Sequence, residues 1–284
     1  MTNKLIALVD GSIYSQSVCE HAAWVSQRSG WAVELLHVLG RREGAEKADL
    51  SGSIALGART ALLEDLAALD AQRAKLVTHR GRAILEDARA ILDGAGVNEI
   101  TTRLRHGDIV ETVAEQDVGA EMVMIGKRGE AADFAKGHLG SNLERIVRSA
   151  SRPIFVAARA FRPVERVLVA YDGGASSMKA IDHISRMALY QGLAVHVVTV
   201  GSATDAVKKG LEDARAMLRA AGIEATTEVV PGQPETALAK LVETGPYEML
   251  VMGAYGHSRI RTLIIGSTTS EMLRSCKVPV VLVR

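Results

Sequence analysis

The chain has 284 residues, a net charge of +1, 48% hydrophobic residues and 24% charged ones. This is the make-up of a globular protein long enough for two domains of about 100–150 residues each. The near-neutral charge argues against an electrostatic binder of nucleic acid or anionic membrane, and 4% aromatics against a base-stacking platform.

Continuous apolar runs alternate with amphipathic stretches along the chain. The first run, Leu5–Val9, is too short for a signal peptide or a spanning helix, and no stretch approaches the ~18 apolar residues a span needs. A cytoplasmic location is therefore expected. A helix is predicted over Ser15–Ser29 and a strand over Ala32–Val38. Residues 40–57 carry polar and glycine positions and suggest a loop. Residues 60–80 are rich in Ala, Leu, Glu, Asp, Arg and Lys, which extends the helix predicted over Arg82–Gly94. A strand over Ile100–Arg105, a helix over Ile109–Val118 and a strand over Met122–Ile125 follow. The next helix begins near Gly140, and an apolar strand, PIFV, closes the set.

The same order then recurs. Strands are predicted over Val167–Ala170, Ala194–Val200, Ala225–Val230 and Met249–Met252, with a last one at PVVLV. Helices are predicted over Ser176–Gln191, Asp205–Ala221 and Pro234–Glu243, with a fourth beginning near Gly266. The repeat is visible in the letters themselves. KLIALVDGS at 4–12 resembles RVLVAYDGG at 166–174, and EDARAIL at 86–92 resembles EDARAML at 212–218. EMVMIGKRG at 121–129 matches EMLVMGAYG at 248–256, and RSASRPIFV at 148–156 matches RSCKVPVVLV at 274–283. One domain has been duplicated, giving domains at 1–159 and 164–284. The first copy carries about 36 extra residues between Val38 and Glu86. A surface insertion is the simple reading of them, and a lid or partner-binding element the sharper one. Buried strands alternating with helices imply an α/β fold with a parallel sheet covered on both faces. Ligands of such sheets bind beyond the strands' carboxyl ends, at the switch point in strand order.

Two features carry chemistry. Asp10 and Asp172 each follow the first strand of their repeat and precede glycine. After the fourth strand of the second repeat comes GAYGHSRIRTLIIGSTTS. Gly253 and Gly256 would let backbone approach a ligand, and Gly266 with Ser267 opens a helix whose free amides favour phosphate. The hydroxyls of Ser267, Thr268 and Thr269 can add hydrogen bonds. As simpler readings, either Asp could cap the next helix and these glycines could serve plain turns.

The spacing G-x2-G-x9-G-[ST] after a fourth strand resembles the ATP-binding subgroup of the universal stress protein family. The resemblance covers nearly the whole chain as two copies. It implies two tandem Rossmann-like domains, of the adenine nucleotide alpha hydrolase-like type, each with a five-stranded parallel sheet. It also implies ATP as ligand, with or without Mg2+. Asp172 and the backbone of Val200 would meet adenosine, with Ala170 beside the base and Met252 leading into the glycine loop. Phosphates would lie against Gly253, Gly256, Gly266, Ser267, Thr268 and Thr269. The corresponding first-half positions are Asp10, Val38, Gly126, Gly129, Gly140 and Ser141. That half departs from the pattern: ten residues rather than nine precede Gly140, and Asn142 and Leu143 replace two threonines. Lys127, Lys136 and His138 could compensate electrostatically. The family also implies dimerisation through the last strand, so PIFV and PVVLV could pair within one chain or between two.

No P-loop, first-strand G-x-G-x-x-G, nucleophile elbow or metal-spaced histidine pair is present. No catalytic or metal-binding residue is assigned. His21 and His183, eleven residues after each Asp, are expected to be structural, as are the two thiols, Cys19 and Cys276. His257, Arg259 and Arg261 read as charge neutralisation or solvated surface. Three classes of function stay open: a nucleotide-responsive stress or signalling module, an enzyme or slow ATPase of the same broad superfamily, and a non-binding scaffold.

Overall fold

A computed structural model describes residues 3–40, 56–127, 141–254 and 267–284. In the first half, β1 (Lys4–Leu8), α1 (Ile13–Ser29) and β2 (Ala32–Leu39) are followed by a 39-residue helix, α2 (Leu56–Gly94). Then come β3 (Ile100–His106), α3 (Ile109–Gln116), β4 (Met122–Gly126), α4 (Ser141–Ser149) and β5 (Ile154–Ala157). The second half runs β6 (Arg166–Ala170), α5 (Ala175–Arg186), β7 (Ala194–Val200), α6 (Asp205–Ala220) and β8 (Ala225–Val230). It closes with α7 (Pro234–Thr244), β9 (Met249–Gly253), α8 (Ser267–Ser275) and β10 (Val280–Val283). The expected extension of the second helix is present as one continuous α2. Two expected helices are shorter. The chain turns extended at Met187 to bury Leu189 and Tyr190, and a 3-10 turn at Asp117–Gly119 completes α3.

All ten strands form one sheet, in the order β3-β2-β1-β4-β5-β10-β9-β6-β7-β8. Within each half the pairs are parallel. The join is antiparallel: Val156 faces Val280, Phe155 faces Val281 and Ile154 faces Leu282. The strands are apolar on both sides because both sides are covered. Leu5, Leu35, Met124, Phe155 and Val281 pack under α1, α2, α5 and α6. Ile6, Leu36, Val123, Val156 and Leu282 pack under α3, α4, α7 and α8. Each core runs through both halves. Among the described residues, no helix is long and apolar enough to cross a membrane.

Local signals set the helix starts. The Ser12 hydroxyl accepts from the Tyr14 amide, and the Asp108 carboxylate accepts from the Val110 and Glu111 amides at 2.8 and 3.2 Å. Thr204 caps α6 in the same way. Both cysteines are buried, and burial pushes their thiols up, to about 12 for Cys19 and about 11 for Cys276.

His21 and His183 sit at equivalent places in α1 and α5, and both are buried. His21 Nδ1–H donates to the Ser17 carbonyl at 2.7 Å, and its ring meets Phe155 and Phe161. His183 packs edge-on to Tyr190. Among the described residues, neither Nε2 has a hydrogen-bond partner. Burial lowers both histidines, His183 from 6.5 to about 4. The unfolded chain takes up this proton near pH 6.5, whereas the folded chain refuses it until about pH 4. Stability is therefore complete above pH 6.5 and falls as pH drops toward 4, by about 3 kcal/mol for His183. Urea unfolding across this window should show a flatter pH dependence in His183→Phe than in the parent chain.

Candidate functional site

In the second half, β6 lies between β7 and β9, so the chain reverses its direction of travel across the sheet at β6. A crevice forms beyond the carboxyl ends of such strands. Ala170 ends β6, in register with Val198 of β7 and Met252 of β9. Val200 ends β7 and Gly253 ends β9. Ala170, Val200, Met252 and Gly253 thus stand together at one end of the sheet, as the sequence implies.

Asp172 lies just past β6 and is exposed. Its Oδ1 accepts from the Gly174 amide at 2.8 Å and the Ser177 hydroxyl at 2.7 Å. Gly173 between them has φ +74°, a conformation that suits glycine. Asp10 repeats the arrangement: its Oδ1 accepts from the Ser12 amide at 3.0 Å and the Ser15 hydroxyl at 3.2 Å, and Gly11 has φ +76°. Each carboxylate is thereby fixed at the lip of the sheet while it orders the start of the next helix. The turn-shaping and site readings are compatible.

Gly253 has a packing reason in addition to the one its spacing suggests. Its φ is not positive. A Cβ there would lie 2.7 Å from Ser176 Cβ and 2.9 Å from the Ser176 carbonyl carbon. The residue lets the end of β9 press against the first turn of α5.

α8 opens at Ser267. Thr269 is buried, and its hydroxyl donates to the Ala254 carbonyl at 3.4 Å. The hydroxyls of Ser267 and Thr268 donate to one oxygen, Oε1 of Glu235, at 3.1 and 2.9 Å. Glu235 stands in the first turn of α7, after Pro234. Its own backbone amide and the Thr268 hydroxyl hold its carboxyl below the usual range. Sequence reasoning missed Glu235. The available signal was an acid directly after a helix-opening proline, but the distant pairing with 267–268 is tertiary. The three hydroxyls therefore do not act alike: two hold a carboxylate and one anchors α8 to the strand end.

In the first half, Val38 lies on β2, Gly126 ends β4 and Ser141 opens α4. Lys127, which the sequence offered as a charge that could compensate at a phosphate, also serves the contact between the two halves. It is buried, and its ammonium donates to the Cys276 carbonyl of the second half. The link between α3 and α4 also differs: Arg145 pairs with Asp108 at 2.9 Å where the second half uses Glu235 and hydroxyls. Gly129, Gly140, Gly256, Gly266, Lys136, His138, His257, Arg259 and Arg261 lie outside the described residues.

The family model of the universal stress proteins matches residues 1–158 and 201–284. The chain belongs to the universal stress protein family. Universal stress protein Slr1230 of Synechocystis is 35% identical over 284 residues, covering 99% of both chains. Universal stress protein Rv1996 of Mycobacterium tuberculosis is 26% identical over 250 residues, covering 76% of this chain and 78% of its own. Among solved structures, a universal stress protein of Archaeoglobus fulgidus superposes over 99% of this chain and 96% of its own, with a TM-score of 0.73 at 21% identity. That likeness bears on the fold, an α/β universal stress protein architecture with helices on both faces.

Gly253→Ala is expected to destabilise the protein by about 1–3 kcal/mol, because backbone rather than a flexible tip meets the added methyl. Thermal melting should show the loss, and a melting temperature equal to the parent's would contradict this packing role.

Proposed function

We propose that the second half binds an adenine nucleotide, ATP foremost, and that the chain acts as a nucleotide-responsive module in stress signalling. The observation that carries this reading is Glu235. One carboxylate oxygen rests on two first-turn hydroxyls of α8, so that helix start already accommodates an oxyanion. A phosphate offers the same chemistry with more charge. Ala170, a small residue at the switch point, would lie beside a base, and Asp172 would offer a carboxylate, held by Ser177, to a ribose or base edge. The backbone end of β7 at Val200 would supply the remaining contact to adenine. Gly256 and Gly266 complete the loop by sequence. Any Mg2+ would come with the phosphates, and no catalytic group is assigned.

A different reading fits the first half. There Lys127 holds the Cys276 carbonyl, which favours assembly of the two halves over phosphate binding. Asp10, Val38, Gly126, Gly129, Gly140 and Ser141 form the lesser candidate site. The domain limits 1–159 and 164–284, and a cytoplasmic location, belong to the same proposal.

Calorimetric titration of ATP tests it. The parent chain should bind, and Gly266→Glu, which adds bulk and negative charge, should not. Asp172→Ala should weaken ATP by roughly ten- to a hundredfold, the usual worth of a hydrogen bond to a charged group. Glu235→Gln should tighten ATP by several-fold to about tenfold, because it removes a like charge beside the phosphates. No ATP binding by the parent chain would overturn the proposal and leave a scaffold.

A further inference from the structure

α2 is far longer than its packing requires. Its last turns are seated by Gly81, Leu85, Ala88 and Leu92, all buried. From Leu63 to Leu76 the side chains are almost all exposed, Leu66 alone being half-buried. Leu69 is 61% exposed and Leu76 is 64% exposed, among the most exposed large apolar residues described. Leu62, Leu69 and Leu76 are seven residues apart, with Leu66 between the first two. At about 100° per residue these four share one narrow stripe. By the same measure the stripe is turned about 100° from the face of Leu85, Ala88 and Leu92. It does not continue the core seam, so the chain's own sheet cannot cover it.

A leucine stripe at heptad spacing is the seam of a two-helix contact. We propose that it pairs antiparallel with the same stripe of a second copy of this chain, making a two-fold dimer through the projecting part of α2. Charge selects both partner and direction. Asp65 and Asp70 precede Arg73 along the helix, and Arg73 lies within the stripe. Among the described residues none of the three has an ion-pair partner. Parallel pairing would set Arg73 against Arg73. Antiparallel pairing centred between Leu69 and Arg73 sets Leu66 against Leu76 and brings Arg73 beside Leu69 and Asp70 of the other copy. A polar residue inside an apolar seam commonly fixes orientation in this way. The contact is isologous and closes on itself. It is separate from the β5–β10 joint and does not depend on nucleotide binding.

Sedimentation of the full chain over a concentration series tests it. The parent chain should be a dimer. Leu69→Glu should raise the dimer dissociation constant at least about a hundredfold, as expected for a buried anchor. Leu76→Ser should weaken it less. Both exposed positions should leave circular dichroism and melting unchanged in the monomer. Asp70→Arg alone should weaken the dimer, and Asp70→Arg with Arg73→Asp should restore it. A parent chain that stays monomeric throughout would overturn the proposal and assign the stripe to other coverage. A dimer that survives Leu69→Glu would overturn it as well.

Discussion

The antiparallel pairing of β5 with β10 is the constraint on which the rest depends. Each half by itself would end in a short apolar strand with an open edge, a template for aggregation. Pairing Ile154, Phe155 and Val156 with Leu282, Val281 and Val280 closes both edges at once and makes the two cores continuous. Basic side chains then fasten the joint at backbone carbonyls. Lys127 reaches Cys276, Arg284 reaches Arg148 and Ala150, and Arg28 reaches Leu189 and Gln191. Cations suit these places because carbonyls at helix ends lack intrahelical partners. Since the joint is antiparallel, the carboxyl ends of the two strand sets face opposite ways. The end of β4, through Lys127, therefore meets the residue that follows α8, Cys276.

This placement gives duplication a physical consequence. The two halves keep one scaffold but fill equivalent positions with different chemistry. On β2, Glu34 is buried and pairs with Lys4 and Arg103 at 2.9 and 3.1 Å. At the equivalent place on β7, His196 meets Tyr247 and, at 3.4 Å, Glu228. Asp108 and Arg145 join one helix pair, and Glu235 with Ser267 and Thr268 joins the other. Such exchanges are tolerated because each retains a partner for the polar group, which is what burial demands. Among the described residues, the second half alone thereby sets two helix-start hydroxyls on a carboxylate.

Most of the architecture was legible in the sequence. Val/Ile/Leu runs marked the strands, and the apolar composition of PIFV and PVVLV marked both as covered on their two faces, while their pairing edge to edge followed only from the family resemblance. Asp10 and Asp172 were legible as residues that shape the turn into the next helix, and their hydrogen bonds do so. Less legible was anything set by distance in space. Gly253 was read as a ligand-side glycine, and its second use, admitting Ser176 from 77 positions away in the chain, was not legible. Lys127 was legible as a charge that could compensate at a phosphate, but its reach to a carbonyl of the other repeat was not. Glu235 drew no notice, since its partners come from a helix that follows the glycine loop. In each case the residue type was informative and its partner was not, because the partner is chosen by tertiary packing.

The central claim is that the two repeats are unequal and that the second is the nucleotide-receiving one. Native mass spectrometry of the full chain with saturating ATP tests it most directly. The account predicts a mass increase of one ATP per chain, abolished by Gly266→Glu and retained in a variant carrying Gly140→Glu. Two ATP per chain, or one that is lost through Gly140→Glu and kept through Gly266→Glu, would contradict it.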